Sequence, residues 1–197
     1  VPFSTPAPRK AIHHRRVDCH GFEREDGLWD IEGWMTDTKT YAFSNQDRGT
    51  IEPGEALHGM GLRLTIDLDM RIHDAEAVID FSPFTVCPSV VDNYKRLIGL
   101  TIGRGFREEA KARLGGPEGC THLVELLGPM GTTAFQALFK ARSERRAASG
   151  KGGNDARGLL NTCHALRADG PIVKREMPKY YTGTEDSTRQ DSNATLA

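Results

Sequence analysis

The spacing of apolar residues divides the chain into two regions. From about residue 11 to 86 they recur at every second position. In "LRLTIDLDM", Leu62, Leu64, Ile66, Leu68 and Met70 point one way and Arg63, Thr65, Asp67 and Asp69 the other, the signature of a half-buried strand. His73-Asp74 reads as a turn into a second strand through Ala75, Ala77, Ile79 and Phe81, so 62–81 is a predicted hairpin. Upstream, "GLWDIEGWMTDTKTYAF" also reads as strand, entered by a turn at Asp26-Gly27 and with Thr36-Asp37 as a candidate turn inside it. Period two with short connections favours an antiparallel sheet.

From Pro88 the period becomes helical. In "PSVVDNYKRLIGL", positions 90, 91, 94, 97 and 98 form one stripe, with Ser89 as the N-cap. A second helix is expected over about 104–114, ending at Gly115-Gly116. A third is capped by Thr121 and carries Leu123, Leu126, Leu127, Ala134 and Leu138 on its buried side, with Gly128-Pro129 expected to bend or interrupt it. Strands first and helices second predict an α+β fold: an antiparallel N-terminal sheet, curled if its polar face lines a cavity, with the C-terminal helices on one face.

At the ends the patterning lapses. Residues 1–10, with three prolines, read as an extended arm on the surface or on a partner subunit. Residues 11–182 form a single α+β catalytic or binding domain, and 183–197 a polar, disordered tail. The Gly-rich stretch 147–158 is a second flexible candidate.

Composition narrows the classes. The 197 residues carry 26 basic and 27 acidic side chains, a net charge of −1. That balance argues against nucleic acid, and Arg142, Arg145 and Arg146 lack interleaved aromatics and read as a solvated helix end. No apolar run reaches the ~18 residues that span a bilayer, so no membrane role is expected. No export signal is visible in "VPFSTPAPRK", which predicts a cytoplasmic protein whose Cys19, Cys87, Cys120 and Cys163 remain thiols. Gly103-Arg104-Gly105 follows a helix, not a strand, so it fails as a dinucleotide fingerprint, and neither a phosphate-binding loop nor a GxSxG elbow is present.

Three clusters carry candidate chemistry. "GGPEGCTHLVELLGP" puts Cys120, His122 and Glu125 at a helix start, where Glu125, three residues past His122, can orient it for proton transfer. The alternative is a small buried thiol and an acidic first turn. Cys87, Cys120 and His122 also make a soft ligand set for zinc or iron, although no CxxC or HExxH spacing fixes two of them. "EREDGLWDIEGWMTDTK" sets Arg24, Asp26, Asp30, Asp37 and Lys39 among Trp29 and Trp34, either a solvated strand face or an aromatic wall for a planar ligand. "GEALHGMGLRLTID" offers His58 as general base, beside Met60 and Arg63.

Taken in order, "EDGLWDIEGWMTDTK", "GEALHGMGLRLTID", the Cys87-Pro88 junction, "LIGLTIGRGF", "GCTHLVELLGP" and "NTCHALRADGP" resemble the bacterial family catalogued as domain of unknown function 2889, over about residues 15–178. Carried onto this chain, its blocks point to Asp26, Trp29, Asp30, Asp37, Lys39, His58, Met60, Arg63, Cys87, Cys120, His122, Glu125 and Cys163. Gly59 departs from the Asp expected in an "HDM" form of its block, which deprives His58 of that orienting carboxylate. The resemblance implies a setting in proteobacterial catabolism of lignin-type phenolics, with aldehyde-releasing lyases among the relatives.

The expected function is therefore a carbon–carbon lyase without cofactor, releasing formaldehyde from the hydroxymethyl side chain of a phenolic substrate. His58 or the His122/Glu125 pair is the base, Arg63 or Lys39 the cation, and Trp29 or Trp34 the aromatic wall, with Asp30 among the catalytic residues and Met60 and Asp26 among those binding substrate. A metal-dependent enzyme using Cys87, Cys120 and His122, and a non-catalytic aromatic-binding accessory protein, are the alternatives. In each case a homodimer is expected.

Overall fold

The computed structural model describes residues 3–149 and 156–184. Half of the Gly-rich stretch, residues 150–155, and nearly all of the polar tail lie outside the described residues. Contacts divide the chain into two compact units, Val1–Arg142 and Ser143–Ala197.

The first unit is α+β. Four antiparallel strands, β1 (His13–Glu23), β2 (Trp29–Lys39), β5 (Ala56–Ile66) and β6 (Ile72–Phe81), form one sheet in the order β1-β2-β5-β6. The short strands β3 (Phe43–Asn45) and β4 (Gly49–Ile51) make a separate ribbon between β2 and β5. The helices come after the strands: a 3-10 stretch Cys87–Leu97, α1 (Phe106–Leu114), α2 (Thr121–Ala137) and α3 (Phe139–Ala148), which runs across the boundary between the units. Among the described residues no helix is long and apolar enough to cross a membrane.

Alternation along β2 decides which face is covered. Trp29, Ile31, Gly33, Met35 and Asp37 are buried, while Asp30, Glu32, Trp34 and Thr36 are only half-buried. Cross-strand register puts Ile66, Leu64, Leu62, Met60 and His58 of β5 beside those five buried positions. Helix α2 covers this face with Leu123, Leu126, Leu127, Met130 and Ala134, all buried in one cluster with the sheet. It approaches closely because two strand residues lack side chains. A Cβ on Gly21 would sit 2.5 Å from the Cβ of Ala137, and one on Gly33 would sit 2.7 Å from Met130.

Several local expectations are corrected. Thr36-Asp37 is no turn, because β2 runs unbroken to Lys39 and Asp37 occupies a core-facing position. The β5–β6 turn is at Asp67–Met70, not His73-Asp74. Asp67 Oδ1 accepts from the backbone N–H groups of Asp69 and Arg71, and Met70 takes the left-handed φ of 68°, so Leu68 and Met70 leave the strand. The segment after Pro88 is a 3-10 helix with Val86 at its N-cap position, not Ser89. Cys120, not Thr121, is the N-cap residue of α2. Helix α2 passes through Pro129 without interruption, its apolar stripe held against the sheet, while Thr132 and Thr133 donate their hydroxyls to the Pro129 carbonyl.

The second unit contains short turns of 3-10 helix and α4 (Pro171–Glu176), gathered on Val173 and Met177 with Leu160, Leu166, Tyr180 and Tyr181 packed against them.

Candidate functional site

The covered face changes character at one end. Register aligns Arg15 of β1 with Asp37 of β2, and Asp37 with His58 of β5. All three residues share the parity of the apolar core yet are polar. The N-terminus of α2 meets the sheet there and brings His122 to His58, with ring centroids 4.0 Å apart.

Asp37 is the centre of this cluster, 1% exposed. Its carboxylate accepts from Arg15 Nε at 2.8 Å and Arg15 Nη2 at 2.7 Å. His58 Nδ1 lies 3.0 Å from Oδ2 and His13 Nε2 lies 3.2 Å from Oδ1. Burial alone pushes Asp37 towards the neutral form. The guanidinium of Arg15, helped by His58 and His13, outweighs it and holds the carboxyl at about 2, so the group is ionised at pH 7. Arg15 also donates through Nη1 to Glu125 Oε2 at 2.7 Å, tying β1 to the first turns of α2.

The two imidazoles are shifted the other way. Burial, then repulsion from His122, lowers His58 despite its contact with Asp37. Burial, then the Arg15 charge, lowers His122 despite Asp37 and Glu125. Both are therefore neutral near pH 7, the state a proton acceptor requires. With Nδ1 of His58 donating to Asp37, its Nε2 carries the free lone pair.

Tyr94 sets the position of the helix start. It is fully buried, and its hydroxyl donates to the Cys120 carbonyl at 3.0 Å and accepts from the Cys120 N–H at 3.1 Å. The Cys120 thiol lies 3.8 Å from Met60 Sδ and 3.9 Å from His122 Nδ1.

Of the residues singled out from sequence, the fold gathers His58, His122 and Glu125, with Met60 fully buried beneath them. Glu125 spends its carboxylate on Arg15. Lys39 is two register positions past Asp37, its ammonium 3.1 Å from the Tyr41 hydroxyl and over the Tyr41 and Phe43 rings. Arg63 lies on the opposite face of the sheet, where it pairs with Glu76 and, at 3.8 Å, with Glu32. Asp30 is on that face too, accepting from Thr65 at 2.6 Å and from Arg24, and Asp26 holds Arg24 and the turn at Leu28. Trp29 is buried in the core. Trp34 faces away from His58 and lines a groove of about 430 Å³ with Arg63, Glu76 and Val78. Strand alternation separates Asp30, Trp34 and Arg63 from His58, and the guanidinium at the cluster is that of Arg15.

The same alternation disposes of the concern over Gly59. A side chain there would point to the far face and collide with Phe81, so it has no line to the His58 ring. The orienting carboxylate comes instead from Asp37 on the neighbouring strand. Sequence reasoning missed Arg15 and His13, and it singled out Asp37 through the family blocks without giving it a role. The available signal was parity: Asp37 continues the buried series 29, 31, 33, 35, and His58 begins the series 60, 62, 64, 66.

Among the described residues, Asp37, His58 and His122 are the group that brings three ligand atoms within 4.8 Å of one another. Cys87, Cys120 and His122 are not such a group, and Cys163 is an exposed thiol in the second unit.

The fold and site define an α+β protein with a one-sided antiparallel sheet and a buried carboxylate–imidazole cluster under a helix start. A family model described as a protein of unknown function (DUF2889) matches residues 13–136, which contain every residue of the cluster, and the chain belongs to that family. Neither curated proteins nor solved structures yielded a match.

Proposed function

We propose that the protein is an acid–base enzyme in which Asp37 orients His58 as the general base. Its reaction, on this reading, is cleavage of a carbon–carbon bond in a phenolic substrate with release of formaldehyde from a hydroxymethyl side chain. The observation that carries the acid–base part is the 3.0 Å contact between His58 Nδ1 and the buried, ionised Asp37, which leaves the other ring nitrogen to accept a proton. The substrate class rests on the family resemblance.

The step balances without an external oxidant. A phenol whose benzylic oxygen substituent departs as an alcohol or phenol, carrying off the ring's phenolic proton, becomes a quinone methide, an electron acceptor. His58 takes the hydroxymethyl proton, the C–O bond becomes the carbonyl of formaldehyde, and the C–C bond breaks. Its electron pair forms the side-chain double bond and restores the ring as a phenolate, which recovers a proton from the imidazolium. The product is a stilbene or similar conjugated phenol. Arg15 supplies the cation nearest the cluster, and His122 the second imidazole for proton return. A cytoplasmic location and a homodimer complete the reading. The free cysteines fit the first, and the fully exposed Phe3, in a segment without regular structure, fits the second.

The test is formaldehyde release from hydroxymethyl-bearing phenolic dimers. His58→Ala should lower turnover at least ~100-fold. Unchanged turnover in both His58→Ala and His122→Ala would remove the assignment. A second reading, aromatic-ligand binding without turnover, is favoured by the Trp34 groove. It predicts ligand-dependent quenching of Trp34 fluorescence that His58→Ala leaves intact.

A further inference from the structure

An imidazole lone pair that can accept a proton can equally hold a metal ion, and two such rings meet a carboxylate here. We propose that Asp37, His58 and His122 form a binding site for a divalent transition cation, zinc foremost, and that its occupancy silences the base. The silencing clause rests on the acid–base reading above; the binding does not.

Geometry supplies the first argument. One ligand atom from each residue lies within 4.8 Å of the other two. Zinc holds N and O ligands at roughly 2.0–2.2 Å, which puts neighbouring ligand atoms about 3.5 Å apart. The three groups thus need to close by only about 1 Å, within the reach of small side-chain rotations. Cys120, whose thiol is 3.9 Å from His122 Nδ1, is placed as a fourth donor. Two imidazoles, a carboxylate and a thiol select a borderline cation over magnesium or calcium, which take oxygen.

Charge supplies the second. The ionisable groups facing the site are Asp37, Glu125, Arg15, His13 and the Cys120 thiol, together with the two imidazoles. Two carboxylates oppose one permanent cation, Arg15, so a divalent ion enters a cluster whose fixed charge is negative. Asp37 already receives four donors, and the longest of these contacts is that of His13, 3.2 Å from a ring 40% exposed. His13 is the donor an entering cation displaces, since it can turn to water. His58 then meets the ion through Nδ1, which already lies 3.0 Å from Asp37 Oδ2, and its ring proton moves to Nε2, the nitrogen that otherwise accepts a proton.

The experiment is calorimetric titration of Zn2+ into the chelator-stripped full chain, beside His58→Asn, His122→Asn and, as control, Cys163→Ser. The expected result is one zinc per chain, with affinity at least ~10-fold weaker in each histidine variant and unchanged in Cys163→Ser. Substoichiometric binding, or equal affinity in His122→Asn, overturns the site. If His58→Asn does not fold, His122→Asn decides it, because that ring sits at a helix start outside the strand core. Turnover separates the two proposals. Full activity in stripped protein that one equivalent of zinc suppresses supports silencing. Activity lost on stripping and restored by zinc overturns silencing and the cofactor-independent lyase together. Absence of turnover, with zinc binding that His122→Asn weakens, overturns the lyase reading and supports the site.

Discussion

Replacing Asp37 by Asn removes one charge from the centre of the cluster with little change in shape. Four donors, from Arg15, His58 and His13, now converge on a group with one acceptor oxygen and an NH2 that is itself a donor. The lowered ionisation of Asp37, from 3.8 to about 2 in the folded chain, measures how strongly the fold prefers its charged form. At 1.36 kcal/mol per unit this amounts to about 2–2.5 kcal/mol of stability at pH 7. The full cost of breaking a buried ion pair, ~3–5 kcal/mol, is an upper bound, because Arg15 is 34% exposed and can rehydrate. A loss of about 2–2.5 kcal/mol corresponds to a melting point lower by about 5–10 °C. Because the folded pKa is depressed, the wild-type advantage is complete above pH ~4 and disappears as pH falls towards ~2. The gap between the two proteins should shrink to about half by pH 3. Urea denaturation at pH 7, 5 and 3 reads this directly. A gap below ~0.5 kcal/mol at pH 7, or one that stays constant down to pH 3, would refute the account of Asp37 as an ionised anchor.

Three other outcomes are expected. His58 and His122 both sit below their ordinary value of 6.5, so the folded chain binds fewer protons than the unfolded one as pH falls past 6.5. Stability is therefore complete above that pH and declines below it, and turnover should rise with pH across the same range; urea midpoints that do not change between pH 7 and 5 would contradict this. Tyr94→Phe strands the Cys120 N–H, while the Cys120 carbonyl keeps the Val124 N–H, at a cost of about 1–3 kcal/mol, and should lower turnover by loosening the helix start that carries His122. Chemical denaturation with a parallel activity assay checks both effects. Arg63→Ala, on the far face, should leave formaldehyde release within about twofold, whereas Arg15→Ala should lower it at least ~10-fold, because Arg15 holds both Asp37 and Glu125.

What the sequence determined by itself was local and periodic. Alternation in "WDIEGWM" and "LRLTI" identified strands whose residues 29, 31, 35, 62, 64 and 66 make the core, and the switch of period near Pro88 located the helices and hence the α+β order. Those features depend on neighbours two to four positions apart, which the chain carries in its own text. Turn positions were less legible, because Thr36-Asp37 and His73-Asp74 have turn composition yet lie inside strands that sheet pairing extends through them. The site belonged to the tertiary structure almost entirely. Arg15, Asp37, His58 and His122 are separated by 21 to 64 positions in sequence and meet only because strand register aligns three of them and the anchored start of α2 delivers the fourth. Face selection had the same origin. The parity that put Arg63, Asp30 and Trp34 on the opposite surface was visible in the text, but which surface the helix would cover was decided when Leu123, Leu126, Leu127 and Met130 packed over Gly33 and its apolar neighbours.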